Sequence, residues 1–340
     1  MPVRATAARL TLLALATLLI VALSSLLGFK WLGWNEIFGD EPSVAYWRLR
    51  FPRTLLAACV GAGLAIGGVI FQALFRNPLA TPYTLGIASG ASLAAAIGIM
   101  NGVPGVWSWG SSSGLGVALP GLPLLAFAGA IAAMSLVYLM ARLRAGRDMT
   151  RLLLAGVCVA YMSSAGIMLA TYLSDGTVTK DIVMWLMGAL DRVEPWASLQ
   201  IALVLVPVLA FGVYSHRAMD LLAMGEDLAA ARGVAVARTI WLSFGLVGVL
   251  TAVIVAKCGP IGFVGLMVPH IARAVLGVRF LPLLLGSALL GAAFLAACDG
   301  VARAALGSNE LPVGVVTNIL GAAFFFYLLA TRDISYASSR

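Results

Sequence analysis

The chain has 340 residues, of which 61% are hydrophobic and only 11% charged, with a mean hydropathy of +1.01 and a formal net charge of +8. Soluble domains carry roughly 25% charged residues, so this composition excludes a soluble enzyme and points to a bundle of membrane helices. The positive charge gathers in short segments between apolar runs, which is the bias of a membrane protein and not a nucleic-acid surface.

Apolar runs of spanning length, about 17–25 residues, fall at 10–29, 53–75, 83–100, 117–141, 152–173, 195–215, 238–258, 281–298 and 312–331. A shorter one, 261–277, follows the Gly259–Pro260 break. The reading is all-α: one transmembrane domain over 1–340 with ten spans and both termini in the cytoplasm. With that orientation, 14 of the 22 basic residues and five of the 14 acids lie inside, giving +9 inside and −1 outside, as the positive-inside rule requires.

In chain order, Arg4 and Arg9 precede an apolar stretch from Leu10 to Leu27. It resembles a signal peptide but exceeds the usual ~7–15 apolar residues and lacks an A-x-A site, so a retained first helix is expected. Span two carries Gly61, Gly63, Gly67 and Gly68; Gly63-x-x-x-Gly67 is expected to admit a neighbouring helix closely. After it, in "FQALFRNPLATPYTLGIASGASL", Asn77-Pro78 and Thr81-Pro82 break the helix, and Gly86 and Gly90 allow tight packing in the next one.

The inner arginines concentrate at Arg142, Arg144 and Arg147. About 175–194 forms an expected outer short helix and loop. The stretch "RAMDLLAMGEDLAAARGVAVAR", about 217–238, is amphipathic and the longest polar segment on the inner side. Gly225 and Gly233 should split it into short helices, with Glu226 and Asp227 at the start of the second, where the dipole favours acids. Two readings of this stretch stand open, a solvated loop and a docking element for a cytoplasmic partner. In "GPIGFVGLMVPHIARAVLG", Pro269 is read as the start of a short helix, with His270 and Arg273 on one face. Phe71, Leu74, Pro78, Ala80, Leu85 and Gly86 find weak counterparts in Phe263, Leu266, Pro269, Ala272, Leu276 and Gly277, a pattern that an internal repeat would give.

Some chemistry is missing from the sequence. With three lysines, Lys30, Lys180 and Lys257, the chain has no G-x-x-x-x-G-K-[ST] loop for ATP. No hydrolase motif occurs, a lone histidine is a poor metal site, and no metal is expected. Cys59, Cys158, Cys258 and Cys298 lie in or beside apolar runs, and no disulfide is expected. Acids are expected only in loops and at span ends, without the intramembrane carboxylates typical of ion-coupled carriers. A transporter of this kind must take its energy from a partner.

Several motifs together resemble the FecCD-type permeases, the membrane subunits of ABC importers for iron chelates, haem and cobalamin. They are Arg50-Phe51-Pro52-Arg53, Gln72 with Asn77-Pro78-Leu79-Ala80, Leu85-Gly86 with Ser89-Gly90-Ala91, and the Gly225–Gly233 segment. Phe263-Val264-Gly265-Leu266 with Pro269-His270 and Arg273, Asp299 with Arg303, and Glu310-Leu311-Pro312-Val313-Gly314 complete the set, over about 48–330.

The resemblance implies a type II ABC importer permease: a multi-pass protein of the bacterial inner membrane, working as a homodimer around a central pathway. Two cytoplasmic ATPase subunits would carry ATP and Mg, this chain binding no cofactor, and a periplasmic or lipid-anchored binding protein would deliver cargo. It further implies that Gly225, Glu226, Asp227, Ala229 and Gly233 couple to the ATPase. Arg50, Arg53 and Arg303 would be exposed outer arginines that dock the binding protein, and Thr150 and Leu154 gate positions. Trp185 to Gly188 would border the outer mouth. Gln72, Asn77, Pro78, Gly86, Pro269, His270 and Arg273 would be structural. The cargo is expected to be a siderophore or haem, with cobalamin as the alternative within the class and a stand-alone secondary carrier as the alternative outside it.

Overall fold

A computed structural model describes residues 3–28, 46–103, 107–109, 117–119, 121–142, 149–190, 196–306 and 310–331. The long helices are α1 (Val3–Leu26), α2 (Phe51–Leu74), α4 (Gly121–Arg142), α5 (Met149–Tyr172), α7 (Ala197–Tyr214), α10 (Val236–Cys258), α12 (Phe280–Ala304) and α13 (Val313–Thr331). Shorter ones are α3 (Ile87–Met100), α6 (Gly176–Leu186), α8 (His216–Met224), α9 (Glu226–Ala231) and α11 (Val264–Leu276). A π-helical turn, Tyr46–Arg50, leads into α2. An antiparallel ribbon pairs β1 (Trp107–Trp109) with β2 (Val117–Leu119), so the expected span at 117–141 begins later, at Gly121.

Eight helices among the described residues are long and apolar enough to cross a membrane; α3 and α11 are apolar but shorter. At 1.5 Å per residue, α11 covers about 20 Å of the ~30 Å hydrocarbon layer. Irregular chain must complete such a crossing, and in a bilayer its amides need protein partners. Around the α11 lead-in, Gly259 N donates to Val255 O and Val264 N to Gly262 O, both at 2.9 Å; beside it, Ala189 N donates to Cys258 O at 2.8 Å and Gly314 N to Gly188 O at 3.2 Å. Ahead of α3, Thr81 and Thr84 exchange side-chain and backbone bonds, and Asn77 Oδ1 accepts from Leu79 N at 2.9 Å.

The centre of the bundle is α2, which packs against α1, α7, α8, α10, α11 and α12. Most of its residues are buried, whereas α1 lies outside against α12 with leucines facing outward. Two crossings are made by backbone on backbone. A methyl on Gly61 would stand 2.1 Å from Gly291 O of α12, and one on Gly68 1.9 Å from Gly265 O of α11. These two glycines are seven residues apart and share a face of α2. Gly63 and Gly67 instead meet the side-chain tips of Ile254 and Val247 on α10, so the closest approaches lie beside the expected Gly63-x-x-x-Gly67 pair. Gly90 packs on Gly129 of α4 in the same manner.

The apparent repeat does not survive in three dimensions. Phe71 lies inside α2 and Pro78 beyond its end, whereas Phe263 precedes α11 and Pro269 lies within it. What the two short helices share is a left-handed residue just before the first turn, Gly86 (φ +76) for α3 and Phe263 (φ +64) for α11.

Replacing Gly61 by alanine forces α2 away from α12 and should cost about 1–3 kcal/mol, the usual range for overpacking. Gly245→Ala, where a methyl meets nothing within 4 Å, should leave the thermal midpoint in detergent unchanged or slightly raised. Equal midpoints for the two variants would refute the crossing.

Candidate docking, pathway and coupling sites

At the end of the bundle where α2 begins and α12 finishes, four charged side chains meet. Asp299, fully buried, accepts from Arg53 Nε at 2.9 Å, and its Oδ2 lies 3.0 Å from Arg303 Nε. Arg53 Nη1 also donates to Glu310 Oε2 at 2.5 Å. Arg303 Nη2 donates to Ser24 O at 2.8 Å and Thr54 Oγ1 at 3.2 Å, which ties α12 to α1 and α2. Arg50, half-buried, donates to Leu26 O at 3.2 Å.

Two expectations are corrected here. Arg303 is not exposed: its side chain is 3% accessible and committed inside the chain. Nor are the spans free of buried carboxylates, because Asp299 sits in the last two turns of α12. A lone buried carboxylate would be untenable at this depth, and two guanidinium groups make it tolerable.

At the other end of α2, Gln72 organises the contact with α11. Pro269 lies inside α11 and not at its start. Lacking an N–H, it leaves the carbonyl four residues back, that of Gly265, without its helical donor. Gln72 Nε2 donates to that carbonyl at 3.3 Å, while Gln72 Oε1 accepts from Arg273 Nη2. The His270 ring packs edgewise on Phe324 of α13, with centroids 5.9 Å apart, while Arg273 reaches α2.

The polar segment forms two helices as expected. Gly225, at φ +145 and ψ +147, separates α8 from α9, whose first turn holds Glu226 and Asp227. Gly233 (φ +81) turns the chain into α10. Ala229 is buried, and Met219 and Leu222 anchor α8 to the core. Asp227, Leu228, Ala230, Ala231 and Arg232 remain exposed, and Met224 is 72% accessible. Leu154 is exposed on α5, in a stripe with Tyr161 and Met168; the side chain of Thr150 and the loop arginines Arg144 and Arg147 lie outside the described residues. Trp185 is partly buried against the core, close to where Gly188 packs on Pro260.

The FecCD transport family model matches residues 14–331. The chain belongs to this family. It is 36% identical to the hemin transport system permease protein HmuU of Yersinia pestis over 297 residues, 85% of this chain and 83% of that protein. It is 37% identical to the vitamin B12 import system permease protein BtuC of Escherichia coli O139:H28 over 302 residues, 85% of each. A solved structure described as an inward-facing conformation of a metal-chelate type ABC transporter matches with a TM-score of 0.80 and 30% identity, covering 96% of this chain and 100% of that one.

Within this FecCD chain, sequence reasoning missed that Asp299 and Glu310 satisfy Arg53 and Arg303 internally. The Asp299–Arg303 spacing of four, one helical turn, was the available signal for half of it. The Gln72 bridge had none, since the glutamine and its partners are about 200 residues apart. Asp299→Ala strands the buried Arg303 cation and leaves Arg53 only Glu310, and should destabilise the protein by about 3–5 kcal/mol; Glu310→Gln, at a half-exposed position, should cost less than about 1 kcal/mol. Thermal unfolding in detergent checks both, and comparable losses would show that burial does not rank the two carboxylates.

Proposed function

We propose that this chain is the permease subunit of a binding-protein-dependent ABC importer that brings an iron chelate, a siderophore or haem, into the cytoplasm. The observation that carries this reading is the FecCD match across nearly the whole chain. The sequence adds two physical supports. It has no nucleotide-binding loop of its own, and among the described apolar helices the single carboxylate, Asp299, is held between arginines and is no free proton carrier. Cobalamin is the second reading, favoured by the similarity to BtuC, which equals that to HmuU.

The working unit is a homodimer in the bacterial inner membrane. Each subunit crosses ten times, α3 and α11 with their irregular lead-ins completing the eight longer spans, and both termini lie inside. Two ATPase subunits, holding ATP and Mg, dock on the α8–α9 elbow, where Met224 and Leu228 offer apolar contact and Glu226 and Asp227 offer charge. The exposed stripe Leu154, Tyr161 and Met168 faces the pathway between subunits. Arg50, with Arg53 behind it, receives carboxylates of the binding protein, steering its approach more than adding affinity. Arg303 supports that surface from within.

Gly225→Pro removes the amide that donates to Leu221 and Leu222 and cannot adopt φ +145. ATPase copurification should fall severalfold while the permease still inserts; undiminished copurification would remove the elbow from the coupling role. Arg50→Glu should lower binding-protein-stimulated ATP hydrolysis by roughly tenfold, a loss of ~1.4 kcal/mol, with basal hydrolysis retained. The decisive test of the class is uptake in vesicles: accumulation by the isolated chain under a proton or sodium gradient, without ATPase, would overturn the importer reading. The cargo follows from the compound that the cognate binding protein retains on purification.

A further inference from the structure

At the end of the bundle opposite the Asp299 cluster, a pocket of about 220 Å³ opens where the ends of α2 and α11 meet α8 and the start of α12. Arg76, Arg273 and Asp220 line it, on a wall otherwise largely apolar, with Val69, Val278 and Leu283. Its charges do not cancel internally. Asp220 Oδ1 accepts from Phe280 N at 2.8 Å, capping α12, and the ion pairs among the described residues involve neither Arg76 nor Arg273. Arg273 gives Nη2 to Gln72, while Nη1 is buried without an acceptor. Arg76 is exposed, makes no side-chain hydrogen bond among the described residues, and holds the left-handed backbone at φ +48, a conformation that a residue with a Cβ rarely keeps without cause.

We propose that this pocket binds the phosphodiester of a membrane-lipid headgroup through Arg76 and Arg273. Guanidinium forks match phosphate oxygens in shape and charge, and two cations against the single Asp220 carboxylate, itself turned to the Phe280 amide, leave the concavity net positive and suited to an anion. The depth suits a lipid. Arg53 and Gln72 mark opposite polar ends of α2 and are separated by about 28 Å along its axis, close to the thickness of the hydrocarbon layer. The pocket beside Gln72 therefore lies at headgroup level, and its apolar wall suits glycerol and the first methylenes of an acyl chain. The bound lipid touches α8 through Met219 and Asp220 and the bundle core through α2 and α11. It thus mortars the coupling elbow to the body, and it does so whichever cargo the transporter carries.

The test uses the full chain in a neutral detergent, loaded from mixed micelles with phosphatidylglycerol, phosphatidylethanolamine or uncharged diacylglycerol and examined by native mass spectrometry. The wild type should retain the phospholipids and not diacylglycerol. Arg76→Gln, which disturbs no internal bond, should weaken retention by roughly tenfold, the loss of about one charge-assisted hydrogen bond. Arg273→Lys should weaken it less than Arg273→Gln. Arg279→Gln, an exposed arginine nearby that does not line the pocket, should have no effect. Displacement of the lipid by excess inorganic phosphate assigns the site to phosphate from either source, and resistance to it assigns the site to lipid; both outcomes uphold phosphate recognition. Equal retention by Arg76→Gln and Arg279→Gln, or retention of diacylglycerol as strong as that of the phospholipids, overturns the proposal.

Discussion

A main-chain amide inside hydrocarbon has no water to turn to, and the architecture of this protein follows from that constraint. Eight helices meet it alone, by bonding within themselves. Two do not reach across, and their lead-in segments must find partners in neighbouring chain. That requires backbone to lie against backbone, and only glycine lets it. The Gly61–Gly291 and Gly68–Gly265 crossings draw α12 and α11 onto α2. Once α11 is that close, Gln72 can reach the carbonyl that Pro269 leaves open. The proline is therefore compatible with a helix interior because a side chain 200 residues away in sequence supplies the missing donor.

The polar groups obey the same rule at both ends of α2. Arg53 at one end and Gln72 at the other fix it against α12 and α11, and each contacts a group that could not be left alone at that depth. The Asp299 cluster is graded. Asp299 is sealed and shared by two arginines, whereas Glu310 stands half in solvent and holds Arg53 from the open side. Arg50 and Arg53 stand at the rim of this end of the bundle, with Arg303 holding the floor beneath them.

Much of this was legible in the sequence. Hydropathy located most of the long helices to within about four residues, missing the start of α1 by seven and the end of α12 by six, because lipid imposes length and composition strongly. Gly225 and the acids after it marked the elbow, since a φ of +145 admits little else. The failures have one cause: they concern contacts between distant segments. Arg303 was read as exposed because the resemblance groups it with Arg50 and Arg53 as docking arginines. Its burial depends on Asp299 one turn earlier together with Ser24 and Thr54 from two other helices. Pro269 was read as a helix start by the ordinary preference of proline for the first turn, which gives way when Gln72 is in reach. The pairing of Gly61 with Gly291, and not Gly63 with Gly67, depends on how α2 is rotated against its neighbours, which composition alone does not encode.

The closest contacts of the joint among Gly188, Pro260 and Gly314 are main chain on main chain: the Gly188 Cα region rests on Pro260 O, and Gly314 rests on Met187 O. Side chains between helices can change rotamer and absorb a shift; peptide planes in direct contact have no such slack. The short helix α6, the end of α10 and the start of α13 are therefore welded, and a tilt given to one is handed to the others undamped. Any rearrangement at that joint has to move the three as a single stiff wedge, with bending confined to the softer chain on either side.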